Sequence, residues 1–123
     1  MTQEEKTLLL QDLCARLPYS VEAQVSNIIE GESKPFVVSK ELTFTDVKAF
    51  VDCNVVCDIK PYLRPISSMT EEEWKEFDWF VKQEPDEILR FKNTLKFYNK
   101  HYIDYVGLIP MGLAIEAPEG MYN

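Results

Sequence analysis

Two different periods of apolar residues divide the chain. In the first half, Val21, Ala23 and Val25 alternate with polar residues, which is typical of a strand with one face in water. Apolar runs rich in β-branched and aromatic residues follow at 36–38, 42–45, 47–51 and 55–59. We therefore predict a small antiparallel sheet, or a partly open barrel, of about four to five short strands within residues 21–59.

Helical patterns flank this β-rich part. Thr2 and Glu5 have the spacing of a capping box, in which each side chain satisfies a free backbone N–H at a helix start. Leucines at 9, 10, 13 and 17 share one face, so we predict a helix over 3–16 that Pro18 ends. Thr70 and Glu73 repeat the capping box and predict a second helix over 71–83.

A third helix is predicted after Pro85. Its apolar residues are spaced three, four, three and four apart, at Ile88, Phe91, Leu95, Tyr98 and Tyr102. We expect this seam, like the aromatic rings of the preceding helix, to fill the interior of the protein.

These elements predict one α+β domain over residues 1–123. Its β-rich part covers about 18–65 and its helical part about 70–104, and the tail at 105–123 is rich in Gly and Pro. The segment from Lys60 to Pro65 is expected to leave the sheet as an extended hinge. Within it, Arg64 is free to pair with a carboxylate of the acidic helix that begins at Glu71.

The charge is acidic and unevenly placed. Thirteen basic and 21 acidic residues give a net charge of −8, which argues against binding to nucleic acid through its phosphates. Residues 71–87 hold most of the helical acids, whereas 90–100 hold only basic charges. Two antiparallel helices would either pair these patches or leave both in water. The chain has neither an 18-residue apolar stretch nor a basic leader, so we expect a cytoplasmic protein without membrane contact.

Candidate chemistry is sparse. Cys53 and Cys57 lie about 13 Å apart if they share a strand, too far for one zinc ion. Cys14 is interpreted as an interior residue of the first helix. The one histidine, His101, is three residues from Asp104, so the two side chains could touch on a helix. A catalytic pair would have this arrangement, but so would an ordinary surface hydrogen bond. We therefore predict no catalytic residue, no metal and no cofactor.

Three residues form the predicted interaction site. Tyr62 and Arg64 lie between two stiffening prolines, and aromatic and Arg side chains are enriched where proteins bind each other. Tyr105 belongs to the same predicted patch, which Met111 and Met121 would extend.

Two strings carry a resemblance. They are DIKPYLRPISSMTEEE at 58–73 and, in the tail, HYIDYVGLI at 101–109 with GLAIEAPEGMY at 112–122. Both are similar to strings in a group of small uncharacterised proteins of Bacteroides-type bacteria and their prophages. That group often has Gly where this chain has Ser20. The resemblance implies an α+β fold and an accessory or mobile-element context, and no activity.

Three functions remain open at this point. The first is a non-enzymatic accessory protein that binds an unknown protein partner or a second copy of itself. The second is an acidic nucleic-acid mimic that inhibits a DNA-binding enzyme. The third is a small hydrolase or ligand-binding module with a pocket between sheet and helices.

Overall fold

The computed structural model describes residues 1–52 and 55–122. In chain order the helices are α1 (Gln3–Arg16), α2 (Phe44–Val51), α3 (Glu71–Phe77) and α4 (Glu87–Lys100), and the strands are β1 (Glu22–Asn27), β2 (Phe36–Glu41), β3 (Val56–Leu63) and β4 (Ile115–Glu116). Short 3-10 turns lie at Leu17–Tyr19 and Ile66–Ser68. None of the helices in these two ranges has the length and apolarity needed to cross a membrane.

The four strands form one open sheet in the order β2-β1-β3-β4. The first three are antiparallel, and β4 pairs with β3 in parallel over two residues. The α+β prediction with an N-terminal helix is therefore confirmed, with a sheet that is mixed because the tail returns to supply its last strand. The first helix also matches its predicted range and its capping box at Thr2 and Glu5.

The strands predicted over 42–45 and 47–51 are wrong, because residues 44–51 form helix α2. Thr43 begins this helix: its hydroxyl accepts from the N–H of Asp46, and the Asp46 carboxylate accepts from the N–H of Thr43. Val47 and Phe50, three residues apart, are both buried. Local capping and a helical apolar spacing therefore outweigh the strand preference of the β-branched and aromatic residues.

The sheet also extends further than predicted. Strand β3 continues through Pro61 to Leu63, where a hinge outside the sheet was expected. The carbonyl of Leu63 accepts from the N–H of Ala117 on the β4 side, and alternate residues of a strand face the same side. The nitrogen of Pro61 therefore faces the β4 side of the strand. Strand β4 pairs there with Tyr62 and Leu63 and does not reach Pro61, so the missing N–H of the proline costs no hydrogen bond to β4.

Two apolar clusters hold the fold together. The larger lies between the sheet, α1 and α2 and includes Leu13, Val25 and Ile59. The smaller joins Met69, Phe97 and Ile103 beneath the C-terminal helices. Cys14 is exposed, so its predicted interior position is wrong. The inner face of α1 carries a buried ion pair, Asp12 with Arg16, in addition to its leucines.

Two residues with a left-handed backbone conformation lie where one element connects to the next. Ser20, which leads into β1, has a φ of 58°, and Tyr102, which follows α4, has a φ of 60°. A left-handed conformation is unfavourable for residues with a Cβ. At Tyr102 the hydroxyl donates to the carbonyl of Tyr19, and the ring stacks on Tyr122 with centroids 3.8 Å apart. These contacts offset the backbone cost there.

Candidate functional site

The most exposed apolar surface lies on a helical hairpin at residues 71–100, which we call the C-terminal hairpin. Its first arm is α3 continued by a π-helical turn at Asp78–Lys82, and its second arm is α4. Asp86 caps the second arm by accepting from the N–H groups of Ile88 and Leu89. The predicted helix boundaries at 71–83 and after Pro85 are therefore close to the observed ones.

Contacts between the arms show that they run antiparallel. Near the base, the ring of Phe77 lies 5.3 Å from that of Phe97. Further along, the Asn93 side-chain amide donates to the carbonyl of Phe80 at 3.3 Å. Near the connection, Arg90 Nε donates to the carbonyl of Glu84 at 3.2 Å. The base of the hairpin is packed on the protein through Phe97, and the distal part combines the buried Val81 with side-chain bonds to backbone carbonyls.

The expectation that the rings of these helices fill the interior is wrong for the distal half of the hairpin. Trp79, Ile88 and Phe91 are 75%, 69% and 65% exposed, whereas Phe97, nearer the base, is 2% exposed. The seam of α4 therefore enters the core only in its C-terminal half. The exposed set, which we call the hairpin apolar surface, consists of Trp74, Trp79, Phe80, Ile88, Leu89 and Phe91. Clusters of large exposed apolar side chains mark interaction sites.

Charges of opposite sign lie on the two arms of the hairpin. Glu72 and Glu76 stand one turn apart on the first arm, and Lys92 and Lys96 stand one turn apart on the second. Within residues 1–52 and 55–122, the lysines of α4 form no ion pair with the acids of the first arm. Of the two sequence alternatives, pairing between the arms is therefore absent among the described residues, although Glu73 and Glu76 of the acidic patch contact other groups near the base of the hairpin.

A clamp of charged groups fixes the base of the hairpin. Arg64 donates to both carboxylate oxygens of Glu73, at 2.7 and 2.8 Å, which confirms the predicted pairing with the acidic helix. Its remaining donors reach Ser68 and the carbonyl of His101. His101 Nδ1 lies 3.2 Å from the same carboxylate. We call Arg64, Glu73 and His101 the clamp, because they join the end of β3 to the start of α3 and the end of α4.

His101 does not contact Asp104 in the way expected. Asp104 accepts instead from the backbone N–H groups of Gly107, Leu108 and Ile109, each at 2.9 Å, and so organises the turn that begins the tail. His101 turns toward α3, where Glu76 lies 3.7 Å from its Nε2. Spacing along one helix could not reveal this, because the partner belongs to a different helix.

A cleft of about 820 Å³ opens beside the clamp. Its walls come from the segment after β3, the end of α4 and the tail, with Lys100, Tyr102, Pro118 and Tyr122 among its lining residues. The volume lies within the range of small-molecule sites. Throughout the described ranges, no group of three His, Cys, Asp or Glu residues is placed to hold a metal ion. Cys53, one of the cysteines considered for zinc, lies outside those ranges.

The three residues predicted to form an interaction patch have separate surroundings. The Tyr62 hydroxyl lies 2.9 Å from Ser39 Oγ of β2, and Arg64 belongs to the clamp. Tyr105 stacks on Tyr98 and lies under the guanidinium of Arg16, and burial raises its pKa. All three are partly buried. Their role in binding stays a prediction.

The clamp makes stability depend on pH in the acid range. The bonds from Arg64 are the main cause that lowers the pKa of Glu73 from 4.5 to about 2. The folded-state pKa lies below the unfolded value, so the stabilisation is complete above pH 5 and is lost as pH falls toward 2. We expect Glu73→Gln to lower the free energy of unfolding by about 1–2 kcal/mol at pH 6, allowing for partial exposure, and by much less at pH 2.5.

Urea unfolding of both proteins at the two pH values measures this difference. Glu72→Gln, one residue away and exposed, is the matched control. A Glu73→Gln effect that is equally large at pH 2.5 would show that the clamp carboxylate contributes through packing and not through its charge.

Sequence reasoning missed Trp79, Phe80 and Leu89 as candidate binding residues. A signal was present: with Trp74, Phe77 and Val81 assigned to one face, Trp79 and Phe80 necessarily fall on others. A helix with apolar residues on several faces needs more than one apolar neighbour.

Comparisons of this chain with protein-family models, curated proteins and solved structures find no match.

Proposed function

We propose that the protein is a non-enzymatic accessory protein, cytoplasmic and of bacterial or prophage origin, that acts by protein–protein interaction through the C-terminal hairpin. The observation that carries this proposal is the hairpin apolar surface, where Trp79, Ile88 and Phe91 are each at least 65% exposed. Tryptophan and other aromatic residues dominate binding energy at protein interfaces. The bacterial accessory context is the part of the proposal that comes from the resemblance of the two strings.

The chemistry of the hairpin supports a partner of one kind. The first arm carries acids beside its exposed apolar side chains, and the second carries Lys92 and Lys96, for which the described ranges hold no ion-pair partner. The complementary surface is an amphipathic helical protein surface, apolar along its middle and carrying charges of both signs at its edges. A purely basic partner, as the nucleic-acid mimic requires, would meet repulsion from Lys92 and Lys96.

A second candidate function is small-molecule binding in the cleft beside the clamp, because the cleft is large enough to hold a small molecule. It ranks second because most polar atoms of the clamp groups that line it are already bonded within the chain, although His101 Nε2 has no hydrogen-bond partner among the described residues. The N–H groups of Arg64 reach Glu73, Ser68 and the carbonyl of His101, and His101 Nδ1 faces Glu73. A ligand would have to compete with these contacts.

Site-specific photocrosslinking tests the proposal. A benzophenone side chain replaces Phe91 in the full chain, expressed in its native cell, and is activated by light. Phe44, which is 70% exposed on α2, is the matched control position. We expect protein adducts from position 91 in large excess over position 44, joined to an amphipathic helix of the partner and resistant to moderate salt.

Two results would overturn the proposal. One is equal adduct formation from positions 91 and 44, which reports only exposure. The other is an excess at 91 that moderate salt abolishes, because it would indicate a purely charged partner and favour nucleic-acid mimicry.

A further inference from the structure

We infer that the partner of the C-terminal hairpin is a second copy of this chain, with the acidic first arm of each copy lying against the basic second arm of the other. This inference rests on the proposed function, because it uses the same surface. Three observations carry it: the area of exposed apolar side chains, the charges of opposite sign that the two arms of one copy do not pair with each other, and the nature of the hairpin itself.

The exposed area is close to what a stable dimer needs. A full aromatic side chain offers about 200 Å², so the exposed fractions of the six residues amount to roughly 600 Å² per copy. A stable interface buries about 800 Å² per partner. Charged neighbours at the rim would supply the remaining area.

The charges of one hairpin complement those of another. Glu72 and Glu76 precede Trp79 on the first arm, and Lys92 and Lys96 follow Ile88 on the second. In one copy these rows do not pair with each other. A two-fold axis can place the first arm of each copy against the second arm of the other. The acidic pair of each copy then faces the lysine pair of the other, so the same attractive contact forms twice, because a two-fold interface repeats every contact.

The hairpin is itself the kind of surface that the proposed function requires. It is helical, it is apolar around Trp79 and Phe91, and it carries both signs of charge. Two such hairpins would pack as a four-helix bundle, in which exposed apolar side chains of both arms gain neighbours from the other copy.

Charge exchange between the arms provides a specific test. One variant carries Glu72→Lys and Glu76→Lys, and the other carries Lys92→Glu and Lys96→Glu. Each variant alone places like charges against each other, whereas a mixture of the two restores opposite charges at every contact. We expect each variant alone to weaken the dimer by at least about tenfold and the mixture to recover to within about threefold of the wild type.

Sedimentation velocity over a range of concentrations measures these dimer constants, and circular dichroism confirms that each variant is folded. Phe91→Asp should abolish the dimer, and Phe44→Asp, at an exposed position outside the hairpin, should leave it unchanged. Two results would overturn the inference. One is a wild type that stays monomeric at about 1 mM, because the dissociation constant of the dimer would then exceed the millimolar range. The other is a mixture of the two charge variants that does not recover dimer formation.

The same measurements separate this inference from the proposed function. If the wild type is monomeric but position 91 still crosslinks to a different helical protein, the hairpin is a docking surface and the second copy is excluded. If position 91 gives no adducts to any protein, including another copy of the chain, both proposals fail.

Discussion

Asp12→Ala is expected to lower the free energy of unfolding by about 3–5 kcal/mol, which is a large part of the stability of a domain this size. Arg16 is fully buried, and its Nε and one terminal nitrogen donate to the Asp12 carboxylate at 2.8 and 3.1 Å. Without that carboxylate, Arg16 keeps its hydrogen bond to the carbonyl of Ile103 and its contact with the Tyr105 ring, but no described acidic group neutralises its charge in a medium that solvates charge poorly. Urea unfolding followed by circular dichroism measures the loss.

A double variant, Asp12→Leu with Arg16→Met, separates the cost of an uncompensated charge from the value of the pair. Burial raises the pKa of the Asp12 carboxyl despite its bonds to Arg16, so desolvation outweighs the attraction. We therefore expect the double variant to be much more stable than Asp12→Ala. Asp78→Ala, which breaks the exposed pair with Lys82, is the control and should cost less than about 1 kcal/mol. A double variant as unstable as Asp12→Ala would contradict this explanation.

Tyr122→Ala is the second large effect, with an expected loss of about 3 kcal/mol in the free energy of unfolding. The hydroxyl of Tyr122 accepts from the N–H of Glu22 at 3.0 Å and donates to the carbonyl of Tyr62 at 2.7 Å. Its ring stacks on Tyr102. Burial also raises its pKa, so the hydroxyl stays protonated and able to donate at ordinary pH.

Tyr122→Phe isolates the contribution of the hydroxyl and should cost about 1 kcal/mol, since the ring stacking is retained. Phe44→Ala, at an exposed ring, provides the matched control. Thermal unfolding of the three variants ranks them. Equal destabilisation by Tyr122→Phe and Tyr122→Ala would show that the stacked ring contributes little.

The sequence predicts the elements whose signals are local. Capping boxes at Thr2 and Thr70 locate the starts of α1 and α3, because the bonds involved span only three residues. Thr43 begins α2 with the same geometry, but its partner is Asp46 where the usual pattern has Glu or Gln, and the apolar residues around it favour strands. Helix α2 was therefore predicted as strand.

Features that depend on distant parts of the chain were not predictable. Strand β4 exists because residues 115–116 return to β3, more than 50 positions away, and no local pattern in the tail indicates it. One contact of the clamp was predicted: Arg64 pairs with the acidic helix as expected. The contact of His101 with Glu73 was not predictable, because it depends on how α4 packs against α3.

The exposed hairpin shows a different kind of limit. The three- and four-residue spacing of Ile88, Phe91 and Leu95 correctly predicts a helix, but spacing alone does not say what covers its apolar face. In the single chain the protein covers only the half near Phe97. The same pattern serves a core or an interface equally well.

The bond from Tyr122 to β1 has a consequence for synthesis on the ribosome. Glu22 emerges early, yet the hydroxyl that joins its backbone to β3 is translated 100 positions later. At about 5–20 residues per second, the ends of β1 and β3 wait for several seconds without this bridge. During that interval the nascent sheet has open backbone groups at this end, so chaperone binding or aggregation should compete with folding most strongly before the tail leaves the exit tunnel.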